Sequence, residues 1–183
     1  MNFFRLDYLN NINSFSRDYF ESIRSVELTN IFIFITDLGN PFIISSICLA
    51  FLMLLWIHKK TSHMLQFIVT LLSTALVIFL TKEIIQLPRP TGGLINETGY
   101  SFASGHAMFA TVFFGLVFYS YKDHFKNRTL RLLFIILNIL FILAIGISRV
   151  YLGVHYMTDV IAGFFIGTII TAISVILHQK HIS

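Results

Sequence analysis

His155 and Asp159 lie four residues apart, where one long apolar run of the chain gives way to the next. If the second run is a helix, that spacing puts imidazole and carboxylate on one face, within contact. A carboxylate beside a histidine fixes its tautomer and stabilises its cationic form, as a histidine nucleophile or general base requires. Arg149, six residues upstream, brings a planar fork suited to phosphate oxygens. Two further stretches carry compatible chemistry. Lys82 and Arg89 are about two helical turns apart, and Pro88 and Pro90 make Arg89 part of a stiff, extended segment. Ser104-Gly105-His106 opens another apolar run. There Ser104 can cap a helix, Gly105 permits close approach of a ligand, and the free N–H groups form an anion site. His106, in the first turn, would face that site as a proton donor.

Each stretch has a plainer reading. Lys82 and Arg89 fit boundary cations snorkelling to lipid phosphates. Ser104 and Gly105 fit an ordinary helix start. His155 and Asp159 fit a structural hydrogen bond. Taken together the set has a chemical logic. Lys82, Arg89, Arg149 and a helix N-terminus cradle a phosphate, one histidine attacks it, and the other protonates the leaving group. Phosphoryl transfer needs chiefly positioning and charge stabilisation. No carboxylate or His/Cys cluster suggests a metal, so the cations would replace Mg²⁺, and no cofactor is expected.

The elements that position these residues must be membrane helices. Of the 183 residues 56% are hydrophobic and only 12% charged, against about 25% charged in a soluble domain. The mean hydropathy is +0.78. The net charge of +4 is scattered between apolar runs, so it reads as a topology signal rather than a nucleic-acid surface. The single Cys48 excludes an intrachain disulfide. The segment Met1–Asp7 lacks the charged and apolar regions of a cleaved signal peptide.

Five runs are long enough to cross a bilayer, which takes roughly 17–25 helical residues: Pro41–Ile57, Met64–Thr81, Ala103–Tyr121, Leu130–Ser148 and His155–Leu177. The fold expected is an all-α integral membrane bundle of five transmembrane helices, in one domain over residues 1–183. Residues 39–178 form its catalytic bundle. In residues 1–38, Phe3, Phe4, Leu6, Tyr8, Leu9, Ile12, Phe15, Tyr19, Phe20 and Ile23 recur among charges. That pattern suits an amphipathic helix on the membrane surface. The stretch Ile31–Ile35 is too short to span, and a sixth crossing there is the lesser alternative. Gly163 and Gly167 form a G-x-x-x-G that reads as close helix packing.

Loop charges set the orientation. Lys59, Lys60, Lys122, Lys126, Arg128, Arg131 and the C-terminal Lys180 share one face, which the positive-inside rule places in the cytoplasm. The Lys82–Phe102 and Arg149–Val154 loops then emerge together on the extracytoplasmic face of the plasma (inner) membrane.

At these residues the chain resembles the type 2 phosphatidic acid phosphatase superfamily, which also includes the vanadium-dependent haloperoxidases. The family signature is K-x6-R-P, then P-S-G-H, then S-R-x5-H-x3-D. The chain reads Lys82-x6-Arg89-Pro90, Ala103-Ser104-Gly105-His106 and Ser148-Arg149-x5-His155-x3-Asp159. Order and spacing agree; Ala103 stands where the family has proline. The resemblance implies a phosphohistidine on His155, with Asp159 orienting it and His106 as general acid. It implies that Lys82, Arg89, Arg149, Ser104 and the Gly105 N–H hold the phosphoryl oxygens.

The function expected is metal-independent hydrolysis of a membrane lipid phosphate or pyrophosphate by an enzyme like the small bacterial lipid phosphatases. Undecaprenyl pyrophosphate, phosphatidylglycerol phosphate and phosphatidate are the leading substrates. A lipid A phosphatase or a lipid phosphotransferase would use the same site, and a lipid-binding or transport protein is the non-enzymatic alternative. The partners are the bilayer and the lipid substrate, with no nucleic acid. Selectivity is expected in the Thr91–Gly99 loop, with Asn96 and Glu97, and in the N-terminal segment.

Overall fold

The computed structural model describes residues 3–39 and 41–182, with side chains for 9–39 and 42–181. Phe3, Phe4, Leu6 and Tyr8, expected on the apolar face of the N-terminal helix, lie outside the described side chains. Seven helices and no strand occur among the described residues: α1 (Phe3–Ser22), α2 (Val26–Asp37), α3 (Pro41–Ile57), α4 (Thr61–Ile85), α5 (Gly105–Tyr121), α6 (Arg128–Tyr151) and α7 (Met157–Ile182).

The protein is an all-α, multi-pass membrane bundle. Helices α4, α6 and α7 are each long and apolar enough to cross a bilayer. They present Leu72, Phe79, Leu132 and Phe165 outward, each more than half exposed. Such a surface is untenable in water and ordinary against lipid. Helices α3 and α5 have 17 residues each, near the lower limit for a span. Helix α5 is central, packed on α4, α6 and α7. The main apolar core lies at its middle and lower turns, where Val112, Phe113 and Leu116 meet Phe51, Leu55 and Phe67.

The expected boundaries shift at several helix ends. Helix α6 runs past Ser148 to Tyr151, so Arg149 sits in its last turn rather than in a loop. Helix α4 runs past Thr81 to Ile85, because Lys82 and Glu83 are tolerated in a last turn even though they end the apolar run. It stops at Gln86, which is left-handed (φ +50°) and whose N–H reaches the Lys82 carbonyl. Helix α7 starts at Met157, so His155 precedes the helix on which it was expected. Gly153 at φ +68° turns the chain between α6 and α7, a conformation that glycine adopts without strain.

The N-terminal segment also differs from a single surface helix. It forms α1 and α2, and Ser25 caps α2 by accepting from the Leu28 N–H at 3.1 Å. Helix α2 and Phe42–Ile57 together meet the length and composition of one crossing, bent by 52°. The run Ile31–Ile35 is therefore the apolar middle of a 12-residue helix that packs on α6.

Glycines bring α7 onto the backbone of α5. A Cβ at Gly163 would stand 2.7 Å from the Ser104 carbonyl oxygen, and one at Gly167 2.8 Å from that of Met108. The G-x-x-x-G pair is thus a packing device. By holding the first turn of α7 against the first turn of α5, it puts Asp159 beside Ser104.

Candidate active site

The segments singled out in the sequence meet at one end of the bundle. The Ser104 N–H donates to the Asp159 carbonyl (3.1 Å), Arg89 Nη1 donates to the Val154 carbonyl (2.9 Å), and Lys82 Nζ donates to the Tyr100 carbonyl (2.6 Å). Three chain segments, 82–89, 100–104 and 154–159, thereby close around one volume. Arg149, His155 and Asp159 are 1%, 3% and 0% exposed, so their charges and ring nitrogens are held by protein rather than by bulk water.

His155 has distinct neighbours at its two nitrogens. Nδ1 faces Asp159 Oδ2 at 3.5 Å and the Ser101 hydroxyl at 3.3 Å. Nε2 lies 3.1 Å from Arg89 Nη1. A guanidinium only donates, so Nε2 must accept, and the proton of the neutral ring resides on Nδ1. The lone pair is then on Nε2, directed at the cations. Burial pushes the His155 pKa down to about 4; Arg89 and Arg149 push the same way, while the hydrogen bond and charge of Asp159 oppose them. The ring is accordingly neutral at physiological pH, the form a nucleophile needs.

Asp159 is positioned by more than its helix spacing. Its Oδ2 accepts from the Ser101 hydroxyl (2.5 Å) and from the Tyr156 N–H (3.0 Å). Ser101 was not expected. It precedes Ser104 on the same loop, and only the convergence of α5 with α7 reveals its role. Thr36 of α2, which accepts from Arg149 Nη1, was equally invisible: a threonine in an apolar run carries no catalytic spacing.

The cations differ in how they are held. Arg89 is spread over the Gly99 (3.1 Å), Thr98 (3.1 Å) and Val154 carbonyls. Arg149 donates to Thr36 and to Glu97. Its Nε has no partner, and the same holds for the Ser104 hydroxyl and Asp159 Oδ1, all buried. Ser104 occupies the N-cap position of α5, yet its side chain makes no capping bond, which corrects the expectation that it caps the helix. Leaving a buried donor unsatisfied costs about 1–3 kcal/mol. Two such donors beside a helix N-terminus suit an anion.

His106 stands in the first turn of α5, against the α2–α3 turn. A Cβ at Gly39 would be 2.2 Å from its Cδ2, so any larger residue there would force the ring or the turn to shift. His106 also lines a cavity of about 500 Å³ walled by Ile44, Ile78, Phe109, Phe113 and Phe141. His155 instead borders a chamber of about 440 Å³ lined by Asn10, Asn13, Arg17 and Arg24 of the N-terminal region. Helix α1 is tied there by Asn13, which accepts from the Thr158 N–H (3.1 Å), and Arg24 donates to the Tyr151 carbonyl (3.3 Å). The site thus has an apolar flank at one histidine and a polar flank at the other.

Comparisons with known proteins bear on the family and the fold. The PAP2 superfamily matches residues 63–183, which include all three signature segments. Phosphatidylglycerophosphatase B of Bacillus subtilis (strain 168) is 34% identical over 119 residues, 63% of this chain and 58% of that protein. Phosphatidylglycerophosphatase B of Haemophilus influenzae is 35% identical over 79 residues, 43% of this chain and 32% of that protein. The chain thus spans less than two thirds of either curated relative. The crystal structure of a transmembrane PAP2-type phosphatidylglycerolphosphate phosphatase from Bacillus subtilis superposes with a TM-score of 0.87 at 26% identity, covering 94% of this chain and 87% of that one. The structure of Aquifex aeolicus LpxE gives a TM-score of 0.68 at 23% identity over 92% and 93% of the two chains, which supports the fold.

Proposed function

We propose, from the premise that this chain belongs to the PAP2 superfamily, that it is a metal-independent lipid phosphatase cleaving a terminal phosphate or pyrophosphate from a membrane lipid. One observation carries the reading. The His155 Nε2 lone pair faces the Arg89 guanidinium, Arg149 Nε and the Ser104 hydroxyl are buried without partners, and His106 lines an apolar cavity.

In this mechanism a phosphate enters between the histidines. Its oxygens take the Arg89 and Arg149 forks, Lys82, the Ser104 hydroxyl and the N–H groups at the start of α5. His155 Nε2 attacks phosphorus, the P–N bond forms as the P–O bond to the lipid breaks, and His106 gives its proton to the departing oxygen. Asp159 and Ser101 hold Nδ1–H and stabilise the charge that develops on the ring. Water, deprotonated by His106, then cleaves the P–N bond and releases phosphate. The side-chain cations supply the charge stabilisation that a divalent metal gives elsewhere.

The substrate is read from the flanks. The lipid portion leaves through the His106 side, where the cavity is apolar and opens between α3, α5 and α6. Phosphatidylglycerol phosphate, phosphatidate and undecaprenyl pyrophosphate all fit this description. Lys59, Lys60, Lys122, Lys126 and Arg128 cluster at the opposite end of the bundle, which supports an extracytoplasmic site and a cytoplasmic C-terminus. Residues 1–183 act as one unit, with α1 covering the polar flank.

The test is phosphate release by the purified protein from those three lipids and from lipid A, in excess EDTA. Turnover of at least one lipid, abolished in His155→Ala and blocked competitively by vanadate, is expected. Activity in His155→Ala, or activity restored only by Mg²⁺, would overturn the mechanism.

A further inference from the structure

Glu97 lies in the α4–α5 loop, between Gly93 and Gly99. Its Oε1 accepts from Arg149 Nη2, and its Oε2 is 3.7 Å from Arg89 Nη2. One carboxylate therefore engages two of the three cations assigned to phosphate. A carboxylate and the edge of a phosphate present the same pair of acceptor oxygens to a guanidinium fork. Both cannot hold the same donors.

We infer that Glu97 is a displaceable internal anion, which neutralises the Arg149 and Arg89 forks until a phosphate takes its place and which retakes them as product phosphate leaves. The inference rests on the phosphate-site reading above and adds a residue outside the three signature segments. Arg149 is 1% exposed, and Glu97 is its sole acidic partner among the described residues. A buried cation with no counter-charge is strongly unfavourable, so some anion must be there in every state of the enzyme. Glu97 fills that role without blocking access permanently, since its side chain is 27% exposed and its loop carries Gly92 and Gly99 at φ +81° and +74°. Burial works to raise the Glu97 carboxyl, but the hydrogen bond and charge of Arg149, with His106 and Arg89, hold it below the usual carboxylate range. The competitor is thus charged whenever the enzyme works.

The consequence is quantitative. A site whose ligand must first displace an internal group binds with an affinity reduced by the fraction of time that group is away. The cradle is therefore weaker for orthophosphate than its cations alone would make it, and the enzyme escapes inhibition by its own product. The opposite role, in which Glu97 orders the two forks for the substrate, predicts the opposite sign.

The experiment compares wild type with Glu97→Gln and Glu97→Ala, both checked for folding by thermal melting in detergent. Orthophosphate and vanadate are titrated by calorimetry and as competitive inhibitors. Orthophosphate is expected to bind about tenfold more tightly in both variants, with KM lowered in parallel. Unchanged or weaker orthophosphate binding in the folded variants, with wild type binding normally, overturns the displaceable anion alone. A wild type that binds neither anion, or binds them as well after Arg149→Ala, overturns the phosphate site and this inference with it.

Discussion

The bundle carries a histidine cluster at each end, and the two behave differently. At the end away from Asp159, His178 Nδ1 meets the Tyr119 hydroxyl at 3.1 Å and its Nε2 meets Ser62 at 3.2 Å. His58 Nδ1 meets the Tyr121 hydroxyl at 2.8 Å. Gln66, Thr70 and Ser174 form a ladder joining α4 to α7, with bonds of 3.1 and 2.6 Å. A cavity of about 790 Å³ adjoins it. Neutral hydroxyls satisfy these rings, and among the described residues they form no ion pair with an acidic group. At the site end, Asp159 backs one histidine, guanidiniums face it, and buried donors are left over. Polar residues among membrane helices join helices as readily as they do chemistry. A reactive cluster is distinguished by compensated charge together with unspent hydrogen-bonding capacity.

Substitutions can break this distinction. His155→Ala should lower turnover on the order of 10⁴-fold or more, as loss of a nucleophile does. An activity loss of similar size in His178→Ala would erase the contrast. Arg149→Lys keeps the charge and loses the fork, so a fall of roughly 10²-fold in kcat/KM is expected, whereas full activity would make Arg149 a counter-ion only. Ser101→Ala removes a hydroxyl bonded to the Asp159 carboxylate and should slow turnover about tenfold with KM little changed. A pure KM effect would place Ser101 on the substrate instead. His178→Ala should alter kcat by less than about twofold while lowering stability by about 1 kcal/mol, through two stranded hydroxyls, as thermal melting would report.

The pH dependence sharpens the same comparison. His155 titrates near 4 in the folded protein and near 6.5 in the unfolded chain. As pH falls, the unfolded chain takes up this proton first. The stability that His155 contributes is therefore complete above about 6.5 and is lost as pH falls towards 4. A ring resonance of His155 titrating at or above 6.5 in the folded enzyme would show that the imidazole is not held neutral.

The chemistry-bearing residues were legible because their spacing is local: Lys82 to Arg89, Ser104 to His106 and Arg149 to Asp159 each lie within a few turns of one segment. The apolar runs marked the helices for the same reason. What escaped detection depends on segments meeting. Ser101 and Thr36 are ordinary residues until Asp159 and Arg149 arrive beside them. Glu97 was legible as a loop residue of interest, but not as the partner of Arg149, 52 positions away. The start of α7 was missed because hydropathy does not register the left-handed turn at Gly153. The α2 helix was underestimated because its apolar stretch is short and gains stability from packing on α6.

Gly39 has a consequence for genetics. It belongs to none of the signature segments, and no catalytic atom is its own. Yet the smallest side chain added there would reach within 2.2 Å of the His106 ring. A saturation screen for loss of activity should therefore return position 39 as intolerant of every replacement, among hits otherwise clustered on motif residues. A screen for protein abundance should let many of the same alleles pass.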